Sequence, residues 1–197
     1  MDRPKDFIIF IDNFDSFSYN LVNALQTLGL EVLIYRNDVD VEFLFERIGQ
    51  YKKMGMNVKI VLSPGPSTPQ KSGNLMEIVK RAMGTYPILG ICLGHQALGL
   101  ALGGQIAKCR ELYHGKVSLI SHKGDLCFEG LPNPVRCARY HSLYVEGLDP
   151  KYVVASWEEI CMALYSKERR VMGLQFHVES IMTTYGMQIL KNALNCI

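Results

Sequence analysis

No block of basic residues occurs in this sequence, and neither sign of charge dominates it. Lys and Arg number 21 against 19 Asp and Glu, which gives a net charge of +2 at pH 7. A surface that binds nucleic acid requires clustered positive charge, because it must neutralise phosphates. We therefore expect no nucleic-acid partner.

A long apolar segment is missing from the start of the chain. Residues 1–6 lead into only five apolar residues, Phe7 to Ile11, before Asp12. Such a run is too short for the hydrophobic region of a signal peptide and far too short to span a membrane. We therefore predict a cytoplasmic protein with no membrane partner.

Paired cysteines and clustered metal ligands are missing as well. The six cysteines include no Cys-x-x-Cys pair, and several of them lie in apolar runs. This spacing favours neither a zinc site nor a disulfide framework, and it fits a reducing compartment. No acidic cluster suggests a metal site either, so we predict that the chain itself carries no cofactor and no metal.

The first hundred residues alternate between apolar strands and amphipathic helices. Continuous apolar runs indicate strands buried on both faces, and apolar residues at helical spacing indicate helices packed against them. This alternation predicts an α/β fold, with an open, mostly parallel sheet flanked by helices. The predicted strands are residues 7–11, 32–35, 59–62 and 88–91, and the predicted helices are one capped by Ser16 that ends near residue 28, a shorter one at 39–49, one at 75–82 and one after residue 92.

The second half of the chain has a different pattern. Between residues 105 and 173, short apolar runs alternate with turn residues, which is typical of antiparallel strands. We predict a small antiparallel extension folded over the end of the sheet, then a last strand at 171–176 and a closing helix from about Met182. With 197 residues, of which 48% are hydrophobic, residues 1–197 are predicted to form a single domain.

The predicted strand at 88–91 leads directly into Cys92. The chain must turn sharply there, and Gly90 and Gly94 remove the side chains that would collide in the turn. The same arrangement exposes the nucleophilic serine of G-x-S-x-G enzymes, and a helix N-terminus favours a thiolate. Cys92 is therefore a candidate nucleophile, whereas a small core cysteine at a strand end is the ordinary alternative.

A base for this nucleophile is sought at the same edge of the sheet, because ligands of open α/β sheets bind at the carboxyl ends of the strands. A cysteine nucleophile needs a base, and the base needs a group that fixes its tautomer. His177 and Glu179 supply both. Of the five histidines, His177 is preferred because it follows a predicted strand, as Cys92 does, and because a carboxylate lies two residues away.

Four segments in this order resemble the class I glutamine amidotransferases. They are the Pro-Gly-Pro loop at 64–66, the Cys92 turn with His95-Gln96 after it, Arg-Tyr-His-Ser-Leu at 139–143 and Phe-His-Val-Glu-Ser at 176–180. The start, from Asp12 to Leu21, is most similar to the small subunits of anthranilate synthase and of the related aminodeoxychorismate synthase. The resemblance implies the flavodoxin-like fold of that family.

The resemblance also implies hydrolysis of L-glutamine to glutamate and ammonia. Cys92 would attack the side-chain amide, and His177, oriented by Glu179, would protonate the departing ammonia and then activate water. The oxyanion would be bound by the N–H of Leu93 and by a second N–H from the facing loop, for which we favour Ser67. The implied glutamine-binding residues are Gly65, Pro66, Ser67, Gln96, Ser142 and Leu143.

Two positions depart from the family pattern. Ser67 stands where the loop Gly-Pro-Gly-Thr-Pro has its second glycine, and Val178 stands where His-Pro-Glu-Ser has proline. If position 67 needs a positive φ, serine costs of order 1 kcal/mol there. Valine does not enforce the extended φ of proline. Both changes keep the reacting groups and allow a weak resting glutaminase that a partner completes.

A partner is implied because ammonia released into neutral water is protonated and lost as a nucleophile. The family's partner is a chorismate-binding synthase subunit, which receives the ammonia within a hetero-oligomer and carries the magnesium site. The product is anthranilate, aminodeoxychorismate or both. Candidate contact regions are the loop at 12–16 and residues 159–162.

Two other functions remain open. One is a catalytically silent regulatory subunit of the same complex, in which Ser67 and Val178 are signs of decay. The other is a flavodoxin-like binding module, in which Ser16, Ser18 and Asn20 cradle a phosphate. That module leaves the later motifs unexplained.

Overall fold

The computed structural model describes residues 6–197, so the prediction about residues 1–5 lies outside the described residues. The described chain contains a nine-stranded sheet, a two-stranded sheet and five α-helices. The strands are β1 (Asp6–Asp12), β2 (Glu31–Arg36), β3 (Asn57–Leu62), β4 (Ile88–Ile91), β5 (Gln105–Lys108), β6 (Lys116–His122), β7 (Val135–Arg139), β8 (Leu143–Glu146), β9 (Val153–Trp157), β10 (Ile160–Ser166) and β11 (Val171–Leu174). The helices are α1 (Ser18–Thr27), α2 (Val41–Lys53), α3 (Leu75–Ala82), α4 (Leu93–Ala101) and α5 (Gly186–Cys196).

Five strands form the parallel part of the main sheet, in the order β2-β1-β3-β4-β11. Successive residues of β1 point to opposite faces. Ile8 and Phe10 pack in a core with α1 and α5, whereas Ile9 and Ile11 pack in a second core with α2, α3 and α4. The predicted α/β fold with helices on both faces is confirmed.

The antiparallel strands continue this sheet instead of folding over its end as a separate layer. Strands β10, β9, β6 and β7 follow β11 in that order. The small pair of β5 and β8 is separate from the main sheet. The main sheet also curls back on itself, because Ala138 of β7 pairs with His177, which lies just beyond β11.

Two predictions about the first helices are wrong. Ser16 does not cap α1, which begins at Ser18 with Phe17 in the N-cap position and no capping side chain. The second helix is the longer of the two, with 13 residues against 10. The side chain of Asp40 accepts the N–H of Phe43 at 2.8 Å and sets the start of α2, a capping contact that fixes a free helix N–H group.

The end of the chain also differs from its prediction. The last strand stops at Leu174, and α5 begins only at Gly186. The residues between them form turns that Thr183 holds through its hydroxyl, which donates to the carbonyl of His177 at 2.7 Å. Throughout residues 6–197, each helix is too short or too polar to cross a bilayer.

Two helical glycines offer a matched test of the packing between α4 and the sheet. A Cβ on Gly94 would lie 2.6 Å from the backbone oxygen of Leu62, whereas a Cβ on Gly49 in α2 would meet nothing within 4 Å. We expect Gly94→Ala to lower the free energy of unfolding by about 1 to 3 kcal/mol, through overpacking against a backbone that cannot move aside. Gly49→Ala should raise it by about 0.5 to 1 kcal/mol.

Urea unfolding of the two variants and of the wild-type chain measures both changes. Equal changes of either sign in the two variants would contradict this account of the packing.

Candidate active site

Cys92 occupies a strained turn between β4 and α4. Its φ is 50° and its ψ is −99°, a conformation that non-glycine residues rarely adopt. The turn is held from behind, where the N–H of Cys92 donates to the carbonyl of Leu174 in β11 at 2.8 Å. The thiol is therefore presented at the carboxyl edge of the sheet, as its sequence context predicts.

The glycines on either side of Cys92 permit this turn. A Cβ on Gly90 would lie 2.5 Å from the carbonyl oxygen of Gly94, and a Cβ on Gly94 would collide with the backbone of Leu62. Real Cβ atoms do not approach other atoms so closely, because the repulsion is too large. The spacing of the two glycines is therefore required by the contact of α4 with β3 and β4.

His177 and Glu179 form a buried pair. Nδ1 of His177 lies 2.7 Å from Oε1 of Glu179, and both side chains are almost fully shielded from solvent. Burial alone would lower the pKa of His177, but hydrogen bonds to the Cys92 thiol and the Glu179 carboxylate outweigh it and raise the pKa to about 10. The protonated form of His177 is therefore favoured by its two partners, Cys92 and Glu179.

The ring of His177 is fixed by aromatic neighbours. Phe17 and Tyr140 contact it edge-on, with ring centroids 5.3 Å and 4.9 Å away. Its backbone is fixed by β7, because the N–H of His177 donates to the carbonyl of Ala138 at 3.0 Å. The hydroxyl of Thr183 links the same two residues by accepting the N–H of Ala138. Both the ring and the backbone of His177 are thus fixed by packed neighbours.

The loop that faces Cys92 contains a strained serine. Ser67 has a φ of 69°, so the position does require the left-handed region that the missing glycine would adopt without cost. The start of the loop is braced by Asn13, whose N–H donates to the hydroxyl of Ser63 at 2.8 Å. The amide group of Asn13 donates in turn to the carbonyl of Ser63 at 2.9 Å.

A cavity of about 150 Å³ opens beside Cys92. Its walls come from three separate parts of the chain, namely the loop before α3, the first turns of α4 and the segment after β7. The residues that line it are Gly65, Pro66, Ser67, Cys92, Gln96, Tyr140, His141, Ser142 and Leu143. Every residue predicted to bind glutamine therefore lines one small, largely polar cavity.

Several residues of this site were not predicted as functional. Gln175 is fully buried, and its amide Nε2 lies 3.7 Å from the Cys92 sulfur. Asn13 braces the loop that faces Cys92 through Ser63. Tyr140 packs against the ring of His177. Gln175 stands directly before the predicted Phe-His-Val-Glu-Ser segment, and this adjacency was the available signal. For Tyr140, the signal was an aromatic residue next to a polar binding loop.

Of the candidate contact region at 159–162, only Glu159 is exposed. Ile160, Cys161 and Met162 are buried in β10, in the middle of the main sheet, so they are not accessible to a partner. The loop at 12–16 lies beside the site, since Phe17, which directly follows it, contacts the ring of His177. Within residues 6–197, no group of three or more His, Cys, Asp or Glu side chains is placed to hold a metal ion.

Comparison with known proteins agrees with this geometry. A family model described as "Glutamine amidotransferase class-I" matches residues 9–196. Anthranilate synthase component 2 of Vibrio parahaemolyticus is 43% identical over 188 residues, which cover 95% of this chain and 94% of that protein. The protein of the same name from Buchnera aphidicola is 44% identical over 189 residues, which cover 95% of this chain and 92% of that protein.

A solved structure shares the architecture. A protein from Thermoplasma acidophilum, described as a putative GMP synthase subunit, superposes with a TM-score of 0.82 at 25% identity, covering 99% of this chain and 95% of that one. The match to the family extends over nearly the whole chain and includes Cys92, His177 and Glu179. This chain belongs to the class-I glutamine amidotransferase family.

Proposed function

We propose that this chain is the glutaminase component of an anthranilate synthase, which hydrolyses L-glutamine at Cys92 and passes the ammonia to a chorismate-using synthase. The observation that carries the proposal is the cavity that Cys92 shares with the implied glutamine-binding residues. The names of the relatives at 43 and 44% identity support anthranilate as the product. They do not point to aminodeoxychorismate.

The first half of the reaction uses the buried charge pair. The Cys92 thiolate attacks the side-chain amide carbon of glutamine, and the His177 imidazolium gives its proton to the departing ammonia. The raised pKa of His177 keeps that proton available at neutral pH. The 2.7 Å contact with Glu179 keeps Nε2 directed at the reacting atoms. The product of this half is a thioester on Cys92.

The second half returns the enzyme to its starting state. His177, now neutral, takes a proton from water, and the hydroxide attacks the thioester to release glutamate. Both halves pass through a tetrahedral oxyanion that needs hydrogen-bond donors. Leu93 supplies one, because the first N–H of a helix has no partner within the helix. Ser67 is proposed as the other, from the opposite wall of the cavity.

The amino-acid end of glutamine is held at the far wall of the cavity. Nε2 of Gln96 already donates to the carbonyl of Leu143 at 2.9 Å, so the side-chain oxygen of Gln96 remains to accept from the α-ammonium group of the substrate. Ser142 and Gly65 line the same cavity. Gln96 thereby fixes which end of the substrate lies near Cys92.

The ammonia is proposed to leave toward a synthase docked over the loop at 177–180, which carries His177 and Glu179. Ile181, which directly follows this loop, is 99% exposed, and Tyr185 and Met187, which line the same surface cavity, are also exposed. Apolar side chains grouped at a functional loop are typical of a protein interface.

Magnesium is expected on the synthase and not on this chain. All six cysteines are unpaired, which supports a cytoplasmic location.

The phosphate-binding alternative is disfavoured by the first loop. The hydroxyl of Ser18 donates to Oδ1 of Asp12 at 2.6 Å, so a carboxylate occupies the position where a phosphate would need donors. The silent-subunit alternative differs from the proposal in predicting no hydrolysis of glutamine. The two are distinguished by whether replacement of Cys92 abolishes glutamine-dependent synthesis.

Replacement of the nucleophile separates the two ammonia sources. We expect Cys92→Ser to abolish glutamine-dependent anthranilate synthesis by the complex, because serine is a far weaker nucleophile without a matched base. Synthesis from added ammonium salt should be unchanged. Product fluorescence measures both. Cys196→Ser, at the end of α5, serves as the control and should keep both activities. Loss of both activities in Cys92→Ser would make Cys92 a structural residue.

Relief of the strained loop should raise the resting activity. We expect Ser67→Gly to increase partner-free glutamine hydrolysis about fivefold, which corresponds to removing of order 1 kcal/mol of backbone strain. Ser67→Ala keeps a Cβ at the same positive φ and should leave the rate at the wild-type level. A coupled glutamate assay measures the rates. An increase in Ser67→Ala as large as in Ser67→Gly would assign the effect to the hydroxyl and not to strain.

A further inference from the structure

Arg139 is the largest fully buried side chain of the described protein. Its guanidinium lies between two aromatic faces, 3.6 Å from the ring centroid of Tyr113 and 4.2 Å from that of Trp157. No ion pair within 4.0 Å joins it to a carboxylate in residues 6–197. Burial of an arginine costs free energy unless its N–H groups donate hydrogen bonds. The groups that accept from Arg139 therefore lower this cost.

One of these contacts fixes the tautomer of His141. Nε of Arg139 lies 3.0 Å from Nε2 of His141, and arginine can only donate. Nε2 of His141 must therefore accept, which leaves its proton on Nδ1. That nitrogen lies 2.9 Å from the carbonyl oxygen of Leu143 and donates to it. Burial, and then the charge of Arg139, lower the pKa of His141 to about 3, so the ring stays neutral.

The amide orientations of Gln96 and Gln175, which lie between Leu143 and Cys92, also follow from their partners. The carbonyl of Leu143 also lies 2.9 Å from the side chain of Gln96, and because a carbonyl only accepts, Gln96 must present its NH₂ group. That NH₂ group lies 3.3 Å from Gln175, which must therefore present its oxygen. The NH₂ group of Gln175 is left facing the Cys92 sulfur at 3.7 Å.

We propose that Gln175 is a catalytic hydrogen-bond donor to the Cys92 thiolate, and that Arg139 is a positioning residue, which holds His141 in the tautomer that donates to the Leu143 carbonyl and so keeps this acceptor of Gln96 in place. A thiolate accepts hydrogen bonds more strongly than a thiol does, so a donor aimed at the sulfur favours the reactive form. The inference rests on the proposed function in that it takes Cys92 as the nucleophile. It adds a second stabilising contact to that of His177.

Gln175→Glu is the sharpest test, because it keeps the shape of the side chain and replaces the donor by a carboxylate oxygen. We expect the pH midpoint for alkylation of Cys92 by iodoacetamide to rise by about 1 to 2 pH units. Mass spectrometry of the peptide that contains Cys92 follows the reaction in the full chain. Gln26→Glu, the same change on the exposed face of α1, is the control and should react as the wild-type chain does.

A second variant keeps the test valid if Gln175→Glu fails to fold. Gln175→Met removes the donor without adding charge, and it should raise the same midpoint by a smaller amount and lower kcat for glutamine about tenfold to a hundredfold. KM should change little, because Gln175 does not line the cavity. A midpoint in the folded variant that equals that of Gln26→Glu would overturn the proposal.

The tautomer of His141 that Arg139 imposes is tested without any substitution. Long-range ¹H–¹⁵N correlation spectra of the uniformly labelled chain report which ring nitrogen of each histidine carries the proton. We expect the proton of His141 on Nδ1 from pH 6 to pH 8. A proton on Nε2, or a doubly protonated ring, would leave Arg139 without an acceptor on His141 and overturn the positioning role of Arg139.

These results are distinguishable from a failure of the proposed function. If the wild-type complex makes no anthranilate from glutamine, the proposed function fails, whereas alkylation still reports the contact between Gln175 and the sulfur. If the complex is active and the midpoint does not move in either Gln175 variant, the proposed function stands and this inference fails.

Discussion

The contact between the first turn of α4 and the ends of β3 and β4 is the constraint on which the active site depends. Gly94 touches the backbone of Leu62, and Gly90 touches the backbone of Gly94, with no room for a Cβ at either position. Because the helix starts so close to the sheet, Cys92 is forced to a positive φ and its sulfur is carried to the edge where the cavity opens. The strain at Cys92 is compensated by the close packing around it.

Several polar side chains are buried around Cys92 with few hydrogen-bond partners. Glu179 directs one carboxylate oxygen to His177, and its other oxygen is buried without a hydrogen-bond partner in the described chain. An unsatisfied oxygen there costs free energy, yet it keeps negative charge concentrated next to the imidazolium. Such strained and incompletely paired groups are expected at sites that perform chemistry and not in the surrounding core.

The sequence predicts the parallel sheet and the meeting of Cys92, His177 and Glu179 well, because both depend on local patterns. Apolar runs mark strands buried on both faces, and the glycine spacing at Cys92 follows from a single steric requirement. Contacts that depend on the path of the chain were not predictable in this way. Gln175 meets Cys92 only because β11 lies beside β4, and Asp40, not Ser16, caps a helix because of local backbone geometry that residue types alone do not settle.

The pairing of Ala138 with His177 has a consequence for the protein as a whole. An outermost strand usually exposes unpaired N–H and C=O groups, which can recruit the strands of other chains into aggregates. Here β7 is last in the sheet, but its backbone bonds to the segment that carries the base, at Ala138 and again where Arg136 accepts from Thr184. The contact that positions the histidine therefore also covers this border of the sheet against unwanted association.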